Sequence, residues 1–219
     1  MLERPRSHFL LILIFLCTGA PWGCSKVMVG LTGMHIFDRD VSRQKVSRMA
    51  RRMGLRDTDY FVLSGRYAKW MEVRKEVDTE RQWQSRMQPL QLRYYGEDRR
   101  VEWLIPSCDV GGFPNLNWAS FGLPDSLVPR KQQRITDSTW TIDQDLDFMV
   151  RPTSVMGLAN VPKAKGHLLV YWTYFAGRQS KRLVRHVRKW KKLHDDQTTV
   201  IYVNADSLYS TSDTITVEP

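Results

Sequence analysis

Two short apolar runs separated by a long basic helix pattern constrain the fold of this chain more than any other feature. His167-Leu168-Leu169-Val170-Tyr171-Trp172 reads as a strand, Arg178 to Leu193 as a helix, and Thr199-Val200-Ile201-Tyr202-Val203-Asn204 as a second strand. Within the helix, Leu183, Val184, Val187, Trp190 and Leu193 form one apolar stripe, and the remaining positions are mostly basic. A strand, helix, strand crossover places its two strands side by side and parallel in one sheet. The fold class this implies is α/β.

Upstream residues supply further elements of that sheet. Ser42 reads as the N-cap of a first helix ending at Gly54, with Val46, Met49, Ala50 and Met53 on its buried face and Arg43, Lys45, Arg48, Arg51 and Arg52 on a solvated basic face. Tyr60-Phe61-Val62-Leu63 predicts a short strand, and a helical stretch follows from about Arg66 to Met87 until Pro89. Leu90 to Tyr95 and Val101 to Ile105 flank the turn residues Gly96-Glu97-Asp98, a hairpin signature. Residues 106–136 carry too many glycines and prolines for regular structure and predict a long loop, anchored by Phe113, Trp118 and Phe121 and covering the core. Thr141 and Gln144 are spaced as a capping box for a short helix over Ile142 to Val150. The expectation is one mixed-sheet domain over 41–219, with an N-terminal helical region and hairpin and the strand-helix-strand unit at 166–206.

The first 24 residues set the address. A basic start with Arg4 and Arg6 precedes an apolar run from Phe9 to Leu16, followed by Cys17-Thr18-Gly19-Ala20-Pro21-Trp22-Gly23-Cys24. The apolar run is too short to cross a bilayer core of about 30 Å and has the length of a signal-peptide core. Gly23-Cys24 resembles the cleavage site of bacterial lipoproteins, in which a small residue precedes the acylated cysteine. That resemblance implies a signal over 1–23, lipid at Cys24, a tether over 24–40, and a place in the bacterial cell envelope, membrane-anchored and facing the periplasm or the exterior. Cleavage removes Arg4 and Arg6 against Glu3, so it lowers the formal charge of +10 by only one.

The C-terminal unit carries a second resemblance. Tyr171-Trp172-Thr173-Tyr174-Phe175-Ala176-Gly177-Arg178-Gln179 resembles the active-site segment of thioredoxin-like proteins, which reads approximately FWASWCGPC. The aromatic pair, the aromatic before the first cysteine position and the glycine match; Ala176 and Gln179 stand where the family has its cysteines. Dithiol exchange needs one thiolate to attack and a second to resolve, so Phe175, Ala176, Gly177, Arg178 and Gln179 mark a degenerate redox loop. If the fold is thioredoxin-like, its antiparallel strand pair must come from the 90–105 hairpin in a permuted arrangement, lying next to the 167–172 strand.

A hydrophobic content of 42% with 11% aromatics predicts a packed body. Behind an export signal, a charge of +10 points to phospholipid head groups, lipopolysaccharide or acidic glycans rather than to nucleic acid. Lys181, Arg182, Arg185, Arg188, Lys189 and Lys192 are the candidate anion-binding residues, with a merely solvated helix face as the plainer alternative. No GxSxG elbow or phosphate-binding GxxxxGK[ST] loop occurs. Asp143, Asp145 and Asp147 fit a helix N-terminus better than a cation site, and His35, Asp38 and Asp40 lack metal-ligand spacing on a defined element. No metal or cofactor is expected. The expected function is a non-catalytic envelope lipoprotein serving as scaffold or binding through its basic surface. The alternative is a divergent thiol protein using Cys108, which has no partner within the chain and otherwise reads as a buried small hydrophobe.

Overall fold

The computed structural model describes residues 34–35, 41–110, 116–118, 140–152, 161, 164–194 and 197–209. The signal, Cys24, Asp38, Asp40, Phe113 and Phe121 lie outside the described residues.

Helix α1 spans Arg43–Arg52. Ser42 is extended and its Oγ accepts from the Lys45 amide at 3.4 Å, so the first turn is capped as the sequence predicts. At the other end Leu55 N donates to Ala50 O and Gly54 N to Arg51 O, a Schellman stop. Gly54 takes φ +77°, and a Cβ there would collide with the Arg188 guanidinium.

Strand β1 is Tyr60–Leu63. The single helix expected over 66–87 is two helices, α2 at Gly65–Arg74 and α3 at Glu80–Arg86. The break has a local cause. Thr79 is a second N-cap, its amide donating to Gln82 Oε1 at 3.0 Å and its Oγ1 accepting from Gln82 N at 3.3 Å. Asp78, just before it, pairs with Arg74 at 2.7 Å and also with Arg86, which draws the end of α2 onto α3.

Strands β2 (Gln91–Tyr95) and β3 (Val101–Pro106) form the hairpin. Its positive φ falls on Arg99, at 63°, beyond the predicted turn residues. The long loop opens with an unpredicted single-turn helix, α4 at Ser107–Val110, and Trp118 is buried against the core as an anchor. Helix α5 covers only Ile142–Leu146 of the expected 142–150, because Met149–Val150 instead pairs with β1 as the edge strand β4. The crossover comprises β5 (Gly166–Trp172), α6 (Arg178–His194) and β6 (Thr198–Asn204), followed by a 3-10 turn at Asp206–Tyr209.

The six strands form one mixed sheet in the order β3-β2-β5-β6-β1-β4. β5 and β6 are parallel from Gly166↔Thr198 to Trp172↔Asn204, and β6 is parallel to β1. On its other side β5 pairs antiparallel with β2, from Gln91↔Tyr171 to Tyr95↔His167. The hairpin therefore lies beside the 167–172 strand. Alternation along β5 divides the core. Leu168, Val170 and Trp172 face the layer of α1 and α6, where Met49, Ala50, Leu183, Val184, Val187 and Trp190 are buried. Leu169 and Tyr171 face the layer of α2 and α5, with Tyr67, Met71, Trp140, Ile142 and Leu146. The stripe of α6 ends at Trp190: Leu193 is 63% exposed, contrary to expectation.

Candidate functional site

Ligands of open α/β sheets gather at the C-terminal ends of parallel strands, and the loop 173–177 leaves β5 at that end. Every part of the loop is held by the protein itself. Ser180 Oγ donates to Thr173 O at 2.7 Å and accepts from Thr173 N at 3.2 Å. The Asp206 carboxylate, buried just beyond β6, accepts from Tyr174 N at 2.7 and 2.9 Å and from Asn204 Nδ2 at 2.6 Å. Burial pushes the Asp206 carboxyl up to about 6, against the pull of hydrogen bonds from Asn204, Tyr174 and Phe175. Gly177, with φ +48°, lets the chain turn into α6.

Positions 176 and 179 are both inside. Ala176 is buried in the core cluster, and the buried Gln179 accepts from Leu116 N at 3.3 Å, tying residues of the long loop to α6. Only Arg178 of this turn is exposed. His35 lies over the loop, its ring stacked on Tyr174 at 4.4 Å and its amide donating to Phe175 O at 2.7 Å. Part of the expected tether is thus seated on the domain. Burial and then Arg52 hold the His35 pKa below its ordinary value.

Cys108 is exposed on α4, not buried as its residue type suggests. Its environment opposes activation: partial burial first, then the neighbouring Asp109, with Oδ1 at 3.7 Å, push the thiol pKa up. A nucleophilic thiol needs the reverse. The three aspartates of α5 diverge. Asp143 pairs with Arg99, Asp145 is buried against Arg93, and Asp147 is exposed. Among the described residues no three His, Cys, Asp or Glu side chains are grouped to hold a metal ion.

The basic residues converge. Lys181, Arg185, Arg188, Lys189 and Lys192 form one stripe of α6, and with Arg51, Arg52, Met53 and Gly54 at the end of α1 they line an open groove of about 540 Å³. Arg188 Nη1 donates to Met53 O at 2.9 Å, which fastens the two helices together and satisfies a terminal carbonyl of α1. Among the described residues no carboxylate lies in the lining or pairs with Arg51, Arg52, Lys181, Arg185, Lys189 or Lys192. Arg182, expected in the same set, does not line the groove. Arg51 and Arg52 belong to the site although they read as a solvated face. Their density beside Gly54 is visible in the sequence, but their partner helix, about 130 residues away, is not.

No protein-family model matches this chain, nor does any curated protein or solved structure.

One buried polar cluster was not foreseen. Arg93, inside the sheet, donates to both Asp145 oxygens at 2.7 and 3.0 Å, to Gln91 Oε1 at 2.9 Å, to Tyr67 Oη at 2.9 Å and to Arg86 O at 3.2 Å. Asp145 also accepts from Tyr95 Oη and, at 3.4 Å, from Trp140 Nε1. Burial and the adjacent Asp145 push the Tyr95 hydroxyl pKa well above its ordinary value. The Arg93 guanidinium lies 4.4 Å from the Tyr171 ring centroid. All its donors are used and the cluster is closed to solvent, so its role is structural. The one signal was an arginine at an inward position of a strand.

Proposed function

We propose that this chain is a bacterial envelope lipoprotein, anchored through lipid at Cys24, whose thioredoxin-like domain has no dithiol chemistry and works by binding anions in the groove between α1 and α6. The observation that carries the reading is the convergence, from two distant segments of the chain, of seven basic side chains on one concavity that, among the described residues, no carboxylate lines. Like charges gathered without partners cost stability, and an anionic ligand offsets that cost. The thioredoxin-like part of the reading is supported by the hairpin's place beside β5 and by the aromatic match at 171–177. Ala176 and Gln179 leave that loop a scaffold, with Asp206 engaged in holding backbone amides.

The test is binding to dextran sulfate as a function of salt. The protein should bind, weaken steeply as salt rises, and lose binding on reversing Lys181, Arg185, Lys189 and Lys192 to Glu; salt-independent or unaltered binding refutes the groove. Palmitate labelling of the native protein beside Cys24→Ala tests the anchor, which requires label that depends on Cys24.

A further inference from the structure

The chemistry of the groove narrows its ligand. Its described side chains are hydrogen-bond donors only, Lys and Arg, apart from Met53; among the described residues no carboxylate, amide or hydroxyl side chain lines it to accept from the hydroxyls of a sugar, and no aromatic ring to stack on a sugar or base. Such a surface recognises dense negative charge and little else. The stripe is also linear, running along one side of α6 from Lys181 to Lys192, which suits an extended array of charges better than a single small anion.

The tether gives the array a location. His35 is seated on Tyr174 and Phe175, immediately before α6 begins, with Arg52 of the groove close enough to influence its ring. From Cys24 to His35 the chain is 11 residues long, a reach of at most about 40 Å. A lipid on Cys24 would hold the groove within that distance of a bilayer, at an effective concentration no soluble competitor matches.

Building on the anion-binding reading above, we propose that the ligand is the phosphate layer of the membrane to which the chain is itself anchored: α6 and the end of α1 rest on an anionic phospholipid surface, making the basic groove a second attachment beside the lipid. One acyl anchor with a polybasic surface holds a protein to a bilayer far better than either alone. The consequence is a fixed orientation, with the α1 and α6 layer toward the lipid and the α2 and α5 layer facing away.

The test uses the full chain carrying Cys24→Ala, so that acylation contributes nothing, and vesicles of phosphatidylcholine alone or of equal parts phosphatidylglycerol and phosphatidylcholine. Two variants are compared. One reverses Lys181, Arg185, Lys189 and Lys192 to Glu and spares Arg188, which fastens α1. The other reverses the exposed Arg48, Lys69, Arg81 and Lys165, giving the same net charge. Circular dichroism and thermal melts verify that both are folded, and single reversals at Lys189 or Lys192 serve if the fourfold groove variant is not. Expected is binding to the mixed vesicles, absent on phosphatidylcholine, that falls about tenfold or more in the groove variant and much less in the scattered one. Equal losses in the two variants would overturn the membrane proposal, because net charge alone would then explain the binding. If dextran sulfate binding depends on the groove while mixed vesicles bind no better than neutral ones, the anion-binding reading survives and the membrane proposal fails. If neither ligand depends on the groove, both fail together.

Discussion

Two buried charges govern this domain at the scale of single residues. Arg93 and Asp145 satisfy one another in a place without water, so truncating either leaves the other desolvated and unpaired. Asp145→Ala or Arg93→Ala should cost about 3–5 kcal/mol in urea unfolding, whereas Arg93→Met with Asp145→Leu should recover much of that loss. Asp206 behaves differently, because burial raises its carboxyl to about 6. The folded state then holds a proton that the unfolded state releases near pH 4, so this contribution is fully present below about pH 4 and is lost as pH rises through about 6. Relative to Asp206→Asn, the native chain should lose up to about 3 kcal/mol of unfolding free energy between pH 4 and pH 7. Parallel pH curves for the two proteins would contradict the assignment. Position 206 was not singled out in the sequence, since an aspartate after a strand looks like any turn residue; only the fold brings it beneath the Tyr174 amide.

The same division between pattern and placement holds for elements. The periodicity of α6 locates its apolar stripe correctly as far as Trp190, but periodicity alone cannot tell where along a helix the cover of the core stops, and Leu193 is exposed. Leu183→Ala should therefore cost about 2–5 kcal/mol, the range for a filled core site. Leu193→Lys should stay within about 0.5 kcal/mol, and denaturant titrations of the two variants measure the contrast directly. The stretch expected as one helix over 66–87 divides at Thr79 because a capping box competes with continuation, a signal present in Thr79 and Gln82 and outweighed by the unbroken polar pattern around them. Residues 147–150 leave the helical pattern because β1 offers Met149 and Val150 an edge to pair with, and that edge is tertiary.

On the scale of the whole molecule, charge is unevenly spent. The formal charge is +10, and seven cations line one groove. Self-repulsion of that group weakens the fold, and counterions relieve it. Raising salt, or adding sulfate or pyrophosphate, should raise the melting temperature. Neutralising Arg185, Lys189 and Lys192 to Gln should raise it at low salt and abolish most of the salt response. A melting temperature indifferent to both would mean that the groove charges are too far apart to interact.

By itself the sequence determined the class of the fold, the parallel pairing of β5 with β6, the capped start of α1 and the basic character of α6, because each follows from local periodicity, cap chemistry or composition within some forty residues. It also determined that no dithiol stands at 176 and 179. The hairpin's place beside β5 followed in the sequence only from the resemblance at 171–179. Tertiary structure alone decided that Arg93 meets Asp145 from 52 residues away and that Arg51 and Arg52 complete a groove with α6. Those contacts depend on which apolar faces find one another across the sheet, a choice made by packing the whole core at once and written in no single segment.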